Sequence, residues 1–414
     1  MTHVGAIADD VTGAVDLASN LVARGFRTRL VVGVPAALTK TDADAVVIAL
    51  KSRTAPVAQA LADTRAALDL LHGLGCRQVY VKYCSTFDST PEGNIGPVCD
   101  LVAERVGADR AVVVPSFPAN GRTVYQGHLF VGSTLLAESA MSHHPLTPMH
   151  DSSVVRLLAA QTSSPVALAD LAVVHAGPAA LRAEIDRLAG GGARFVVVDA
   201  TSDADLATIA EATKDDPLLT GGSGLALGMT GPHPDHARAA VSAAALTGPR
   251  VVLVGSASDA TARQLAAAEA AGLTCLRIDP RHAEGEVRGV AEQARAAWRG
   301  QPDTPVVVAP LPIEDVAERR EHAAGLEAAL ADLARTLVDD GARQLVVAGG
   351  ETSGAVVRRL GAHDLRVGAS LGPGLAWTHA EVDVSGSWRP VALALKSGNF
   401  GSDSLFIDAW EALT

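Results

Sequence analysis

Short apolar runs alternate along the chain with longer stretches in which apolar residues recur every three or four positions. Runs such as VVIAL and AVVVP are apolar throughout, which is typical of strands buried on both faces of a parallel sheet. These runs predict strands at residues 4–8, 28–32, 45–50, 78–82, 111–114 and 195–199. The longer stretches predict helices at residues 13–24, 57–72, 97–106, 179–188 and 203–212.

The alternation stops once and then restarts. Residues 228–248 include the stretch GMTGPHPDHA, whose Gly and Pro residues break regular structure. After it, further strands are predicted at residues 251–254, 273–278, 305–309, 345–348 and 391–395, with a helix at 261–271. We therefore predict an α/β protein with two α/β domains, 1–235 and 236–414, each a mainly parallel sheet flanked by helices.

Composition narrows the classes of function. The 414 residues include 34 basic and 46 acidic side chains, a formal net charge of −12, which disfavours a non-specific nucleic-acid partner. No apolar run is long enough for a membrane span, and the first residues do not resemble a signal peptide. The four cysteines form no CxxC pair, so we expect a cytoplasmic protein.

Two carboxylates follow the first predicted strand directly. Asp9 and Asp10 stand between residues 4–8 and the first predicted helix, and open α/β sheets bind ligands at the carboxyl ends of their strands. The pair would bind ligand hydroxyl groups, and one member would serve as a general base. The alternative is that one Asp caps the helix and the other is solvated.

Polar side chains also follow three other strands of the first half. The candidate contacts to a ligand are Arg53, Lys82, Ser85, Asp88, Asn120 and Arg122. Arg and Lys at strand ends would hold a small carboxylate, whereas each cluster taken alone reads as surface charge or as a turn. Together they predict a cleft for a small, oxygen-rich anion.

Two other stretches invite functions that their spacing does not support. His143, His144 and His150 lack the spacing of zinc ligands, so we predict no metal site there. Residues 221–226, GGSGLA, resemble a dinucleotide fingerprint, but the acidic residue about 20 positions on is absent. We interpret these residues as a turn at the start of a helix.

Three strands of the second half run into Gly- and Ser-rich turns. The candidate nucleotide contacts are Ser256, Ser258, Gly349, Gly350, Glu351, Thr352, Lys396 and Gly398. Glycines let backbone amides approach phosphate closely, and a helix N-terminus adds a favourable dipole. Lys396 would neutralise phosphate, and Glu351 would act indirectly through Mg²⁺. Gly and Ser are also ordinary residues at helix starts, and the Walker and protein-kinase signatures are absent.

These motifs resemble a known family. ADDVTGAVD, AGGETSGAVV and LKSGNFG are similar to motifs of the four-carbon acid sugar kinases, with Val11 where that family usually has Phe. KYCSTFDSTPEGNIGPV, NGRTVYQGHLFVG and HHPLTPM resemble its 3-oxo-tetronate kinase branch. The resemblance covers nearly the whole chain, with the motifs in the same order.

The resemblance implies an N-terminal sugar-acid domain and a C-terminal ATP domain, with the active site in the interdomain cleft. It implies ATP- and Mg²⁺-dependent phosphorylation of the 4-hydroxyl of 3-oxo-tetronate in four-carbon acid sugar catabolism. The ATP contacts would be Ser256, the Gly349–Thr352 turn and Gly398, and the acid contacts would lie among the candidates of the first half. The expected partners are the sugar acid and ATP, and a homo-oligomer is left open.

Other functions remain open at this point. A threonate or erythronate kinase of the same family would carry the same motifs. A nicotinamide-dependent dehydrogenase would need a fingerprint that the chain lacks. A regulator that binds nucleotide and sugar acid without catalysis is the alternative outside enzymes. We expect Asp9 or Asp10 to be the base, with a preference for Asp10.

Overall fold

The computed structural model describes residues 2–35, 41–143, 147–234, 246–301 and 303–413. The chain forms two compact units, Met1–Arg238 and Ala239–Thr414, and both are α/β, which confirms the predicted fold class. The predicted domain boundary at 235/236 and the predicted loop residue His144 lie outside the described residues. Within the described ranges, no helix is both long and apolar enough to cross a membrane.

The elements of the first unit follow the predicted alternation closely. Its strands are β1 Val4–Ala8, β2 Thr28–Val32, β3 Ala45–Ala49, β4 Gln78–Lys82, β5 Ala111–Val114, β6 Arg122–Tyr125, β7 His128–Val131, β8 Thr134–Leu135, β9 Val166–Ala169, β10 Phe195–Val198 and β11 Leu218–Gly221. Its helices are α1 Val11–Ala23, α2 Val57–Gly73, α3 Ile95–Arg105, α4 Val154–Ala159, α5 Leu171–His175, α6 Pro178–Gly190, α7 Asp203–Ala212 and α8 Leu225–Gly228.

The main sheet of this unit is parallel, in the order β2-β3-β1-β4-β11-β5-β10-β9. Ala8 at the end of β1 is in register with Ala49 of β3 and Lys82 of β4. Gly221 at the end of β11 pairs with Lys82 and with Val114 of β5. The strands therefore end level, so the residues that follow them gather at one edge of the sheet.

Burial explains why these runs form the centre of the unit. Every residue of β1 is buried, as expected of a strand covered on both faces. Gly5 permits α2 to pack closely on β1, because a Cβ at this position would lie 2.9 Å from a methyl carbon of Leu71. A larger side chain there would push the helix away from the sheet.

The second unit combines parallel strands with an antiparallel meander. Its strands are β12 Arg250–Val254, β13 Thr274–Ile278, β14 Val306–Pro310, β15 Gln344–Ala348, β16 Asp364–Gly372, β17 Leu375–Val384 and β18 Ser387–Lys396. Its helices are α9 Asp259–Ala270, α10 Ala283–Gly300, α11 Val316–Asp339, α12 Gly350–Leu360 and α13 Leu405–Asp408. The order is β13-β14-β12-β15-β18-β17-β16, and β16, β17 and β18 pair antiparallel.

Register again aligns strand ends in this unit. Ala348 of β15 pairs with Val254 of β12 and with Lys396 of β18. Because these strands are parallel, the turns that follow them begin at the same level of the sheet. This arrangement brings the three Gly- and Ser-rich turns to the same edge of the sheet.

The structure differs from the predictions in its antiparallel parts and in two parallel strands. The meander β6–β8 and most of β16–β18 were not predicted as strands, and neither were β9 and β11 of the main sheet. Helix α1 begins at Val11 rather than at residue 13. Asp10 accepts a hydrogen bond from the amide of Gly13 and so starts the helix earlier.

Candidate active site

Arg53 joins the two carboxylates that follow β1. Its Nε and Nη2 donate to the two carboxylate oxygens of Asp9 at 2.7 and 2.9 Å, the bidentate geometry that gives strong ion pairs. Its Nη1 lies 3.1 Å from Oδ2 of Asp10. We call Asp9, Asp10, Arg53 and Lys82 the charged cluster. The guanidinium thus fixes the position of both acids.

Asp10 is also the N-cap of α1. Its Oδ1 accepts from the Gly13 amide at 2.6 Å, and its Oδ2 accepts from the Thr12 hydroxyl at 3.1 Å. Burial opposes ionisation, but the charges of Arg53 and Lys82, with these hydrogen bonds, hold the pKa of Asp10 below its usual value. The predicted capping role is therefore present, and Asp10 remains a carboxylate at neutral pH.

Lys82 brings a second positive charge to the cluster from the end of β4. Its side chain is almost fully buried, and Nζ donates to the carbonyl of Tyr83 at 2.9 Å. A Cβ at Gly13 would lie 2.9 Å from this Nζ, so the ammonium lies directly over the first turn of α1 and would have to shift to admit a side chain there. The charged cluster then contains two acids and two bases, and is balanced in formal charge.

The structure brings together only some of the other predicted contacts. Asp88 lines the same cavity of about 20 Å³ as Asp9, Arg53 and Lys82. Ser85 instead packs beside Gly222, where a Cβ would lie 3.3 Å from the Ser85 Cβ. The remaining two predicted contacts, Asn120 and Arg122, are joined by a hydrogen bond from the guanidinium to the Asn120 carbonyl. They are not among the residues that line this cavity.

Asp16 is a buried acid that lies beside the charged cluster. It was not among the residues predicted from the sequence. It accepts a hydrogen bond from the Ser223 hydroxyl, and Asn20 donates to the Ser223 carbonyl at 3.0 Å. Burial raises the pKa of Asp16 to about 6, although Lys82 and the Ser223 hydroxyl act in the opposite direction. The signal in the sequence is the polar pair Asp16 and Asn20, four residues apart on a largely apolar helix.

The three Gly- and Ser-rich turns of the second unit converge. A Cβ at Gly255 would lie 2.0 Å from Oγ1 of Thr352, and one at Gly398 would lie 2.5 Å from Oγ of Ser256. Gly349 has φ +126°, which side chains rarely tolerate. Ser258 caps α9 and donates to the Gly398 carbonyl at 2.6 Å. Glycine backbone and hydroxyl groups therefore line this edge, beside the N-termini of α9 and α12, which suits an anion. The amides of Gly255, Ser256 and Gly349 already donate to the carbonyl oxygens of Ala348 and Lys396.

Lys396 supports these turns from inside the unit. The side chain is fully buried, and Nζ donates to Oγ1 of Thr261 at 2.8 Å and to the carbonyl oxygens of Ser397 and Gly398 at 3.2 and 2.7 Å. Burial lowers the pKa of the ammonium to about 7. The structure thus shows Lys396 holding the Gly398 turn in place, whereas its predicted contact with phosphate stays a prediction.

Glu351 is the carboxylate among the predicted nucleotide contacts. It lies in the first turn of α12, next to Gly350 and Thr352. Among the described residues, no group of three or more His, Cys, Asp or Glu side chains could hold a metal ion. Mg²⁺ usually needs only one or two protein carboxylates when it binds together with phosphate oxygens. A single carboxylate such as Glu351 therefore fits an ion that a nucleotide carries.

Comparisons with known proteins also divide the chain into the same two units. A model described as a sugar-binding N-terminal domain matches residues 4–229, and one described as a nucleotide-binding C-terminal domain matches residues 251–406. The 3-oxo-tetronate kinase of Burkholderia multivorans is 47% identical over 99% of this chain and 97% of its own length. That of Pseudomonas fluorescens is 48% identical over 98% and 96%.

Solved structures agree at the level of the backbone. A crystal structure of a Salmonella typhimurium LT2 protein, described as a tRNA synthase, has a TM-score of 0.85 at 40% identity and covers 99% of both chains. A Haemophilus influenzae protein has a TM-score of 0.75 at 36% identity, covering 99% of this chain and 100% of its own. The chain belongs to the four-carbon acid sugar kinase family. The curated relatives quoted above are 3-oxo-tetronate kinases.

Substitution of Lys396 by Met tests its part in nucleotide binding. Met fills the space but removes the ammonium donor from the oxygens of Thr261, Ser397 and Gly398, of which the Gly398 carbonyl keeps the Ser258 hydroxyl as a donor. We expect the Kd for ATP to rise about tenfold, which corresponds to the loss of roughly one charged hydrogen bond. Isothermal titration with ATP measures this. Lys214→Met, at an exposed ion pair with Glu211, is the control, and an unchanged Kd in Lys396→Met would contradict the role.

Asp16→Asn tests the buried acid through the pH dependence of stability. The pKa of Asp16 is about 6 in the folded protein, above the ordinary value of about 3.9 in an unfolded chain. Its stabilising contribution is therefore present below pH 4 and is lost as the pH rises through 6. Between pH 4 and pH 8 we expect the free energy of unfolding of the variant to rise by about 2–3 kcal/mol relative to that of the native sequence.

Urea unfolding of both proteins between pH 4 and pH 8 measures this difference. The gap between variant and native sequence should grow with pH over this range, because only the native sequence has the ionising carboxyl. A gap that stays constant with pH would show that Asp16 does not titrate as the buried site requires.

Proposed function

We propose that this chain is an ATP-dependent kinase that transfers the γ-phosphoryl group of ATP to the 4-hydroxyl of 3-oxo-tetronate. The product is 3-oxo-tetronate 4-phosphate. The observation that carries the proposal is the pairing of two kinds of site in one family member. One is a charged, oxygen-rich cluster in a sugar-binding unit, and the other is a set of converging Gly- and Ser-rich turns at helix N-termini in a nucleotide-binding unit.

The charged cluster suits a short hydroxylated acid. Asp9 and Asp10 offer carboxylate oxygens to ligand hydroxyls, while Lys82 and the first turn of α1 supply positive potential. Arg53 holds both carboxylates and so preserves their geometry before the acid binds. A tRNA-directed activity would instead call for clustered Lys and Arg, and the chain carries an excess of acid.

Asp10 is our preferred residue to accept the proton of the attacking hydroxyl, with Asp9 as the alternative. The Arg53 guanidinium holds both oxygens of Asp9. It also contacts Oδ2 of Asp10, whose Oδ1 accepts from the Gly13 amide, so the hydrogen bonds alone do not separate the two acids. The lowered pKa of Asp10 keeps it ionised, so it can orient the hydroxyl by accepting its hydrogen bond. A weak base is sufficient for this reaction, because the loose transition state of phosphoryl transfer depends mainly on positioning and charge stabilisation.

The turns of the second unit would hold the phosphates. Backbone amides near Gly349 and Gly398, with the hydroxyls of Ser256 and Thr352, would contact the phosphate oxygens. Mg²⁺ would supply further neutralisation of the phosphate charge, with Glu351 as the nearby carboxylate. The hydroxyl groups and the two helix N-termini stay fixed before the nucleotide binds, which reduces the cost of ordering them.

A panel of four-carbon acids tests the proposed function. 3-Oxo-tetronate, threonate and erythronate are each incubated with the protein, ATP and Mg²⁺, and ADP release is measured. We expect 3-oxo-tetronate to give the highest kcat/KM and a product that carries phosphate on carbon 4, identified by ³¹P–¹H NMR. Asp10→Asn is the matched variant, and we expect at least a hundredfold lower kcat because the orienting carboxylate is lost.

Two outcomes would contradict the proposal in different ways. Preference for threonate or erythronate would place the chain in another branch of the family. Binding of both ligands without any ADP release would favour a regulator without catalysis. Normal turnover by Asp10→Asn would remove Asp10 from the reaction and leave the kinase activity in place.

A further inference from the structure

Two buried oxygen atoms in the cavity beside the charged cluster lack a hydrogen-bond donor. They are Oδ1 of Asp88 and Oδ1 of Asn94, and among the described residues neither has a hydrogen-bond partner. Both residues are more than nine-tenths buried, and both line the cavity that Asp9, Arg53 and Lys82 also line. A buried acceptor without a donor is costly, so these atoms indicate the position of a ligand group.

The side chain of Asn94 does not make the hydrogen bond that is usual at its position in the helix. It occupies the N-cap position of α3, where Asn normally accepts a hydrogen bond from the helix, yet its side chain makes no such bond. Its Nδ2 instead donates to the carbonyl oxygens of Ser52 and Ala55 at 2.5 and 2.8 Å. These contacts fix the loop that carries Arg53 and leave Oδ1 of Asn94 as an acceptor at the cavity.

A ligand group that occupies this cavity must be small and must donate a hydrogen bond. The volume of about 20 Å³ accommodates one group about as large as a water molecule. The Arg53 donors are directed to Asp9 and Asp10, so they do not satisfy the two acceptors. A carboxylate would be repelled by the Asp88 carboxylate, and a keto group offers no proton.

Only one group of the proposed substrate meets these requirements. 3-Oxo-tetronate has a carboxylate, a C2 hydroxyl, a C3 keto group and a C4 hydroxyl. The C4 hydroxyl receives the phosphoryl group and must face the nucleotide, so the C2 hydroxyl is the remaining donor. We propose that Asp88 and Asn94 form the subsite for the C2 hydroxyl of the four-carbon acid, an inference that rests on the proposed kinase function.

The test compares two substrates that differ only in this hydroxyl group, 3-oxo-tetronate and 4-hydroxy-3-oxobutanoate. With the native sequence we expect kcat/KM to be about 10- to 100-fold lower for the deoxy compound, because the acceptor to which the C2 hydroxyl donates its one proton then stays unpaired. In Asp88→Ala this preference should fall to within about threefold. The ratio of the two values is informative because a general structural defect lowers both and leaves their ratio unchanged.

Two further variants complete the experiment. Asp88→Asn keeps the shape of the side chain and should give an intermediate ratio, which preserves the test where Asp88→Ala folds poorly. Asp100→Asn is the matched control, since Asp100 lies on α3 but accepts from Thr162 and Ser164 and does not line the cavity. Its ratio should equal that of the native sequence.

The outcomes separate this inference from the proposed function. Phosphorylation of 3-oxo-tetronate with the native ratio retained in both Asp88 variants would overturn the subsite and leave the kinase function standing. A native protein with equal kcat/KM for the two compounds would overturn the subsite in the same way, and would indicate that water alone fills the cavity. Failure to phosphorylate either compound would overturn both.

Discussion

The ion pairs between Arg53 and the two acids after β1 are the interaction on which the first unit's site depends. They exist because β1, β3 and β4 are parallel and in a register that aligns Ala8 with Ala49 and Lys82. Burial of charge is costly, and attraction between the partners offsets that cost only when the geometry is good. The cluster therefore fixes the position of the carboxylate oxygens of Asp9 and Asp10, and we assign it little net stabilisation of the fold.

The strand ends of the second unit are aligned in the same way, but its buried charge is held by neutral groups. The Lys396 ammonium makes its hydrogen bonds to neutral oxygens of Thr261, Ser397 and Gly398. These contacts hold the turn in place. The N-termini of α9 and α12 lie at the same edge, and a helix N-terminus favours negative charge. The structure therefore shows how Lys396 supports the turn, and its contact with phosphate stays a prediction.

Most of the parallel framework could be predicted because strands buried on both faces leave continuous apolar runs. The antiparallel parts could not, because β16 and β17 mix exposed charged residues with buried ones and no continuous run marks them. The β6–β7 connection is a two-residue turn in which Gln126 and Gly127 both adopt positive φ between strands of four residues. Gln is not one of the residues that usually mark such a turn in a sequence.

The candidate site was predictable where side chains follow strands directly. The sequence indicates that Asp9, Asp10 and Lys82 stand at strand ends, and register then places them together. It does not reveal which charges are already paired, and so it could not show that Arg53 is directed to the acids. Asn94 and Asp16 were missed for the same reason. Their importance comes from an unpaired oxygen and from burial, and both depend on tertiary contacts.

The most direct test of the central role of Arg53 is the substitution Arg53→Lys, which keeps the positive charge but loses the bidentate fork. The measurement is kcat/KM for the four-carbon acid together with the Kd for ATP. We expect about a hundredfold lower kcat/KM for the acid, because both carboxylates lose their fixed geometry, with an unchanged Kd for ATP. Retention of the native kcat/KM in a folded Arg53→Lys protein would show that the site does not depend on the Arg53 fork.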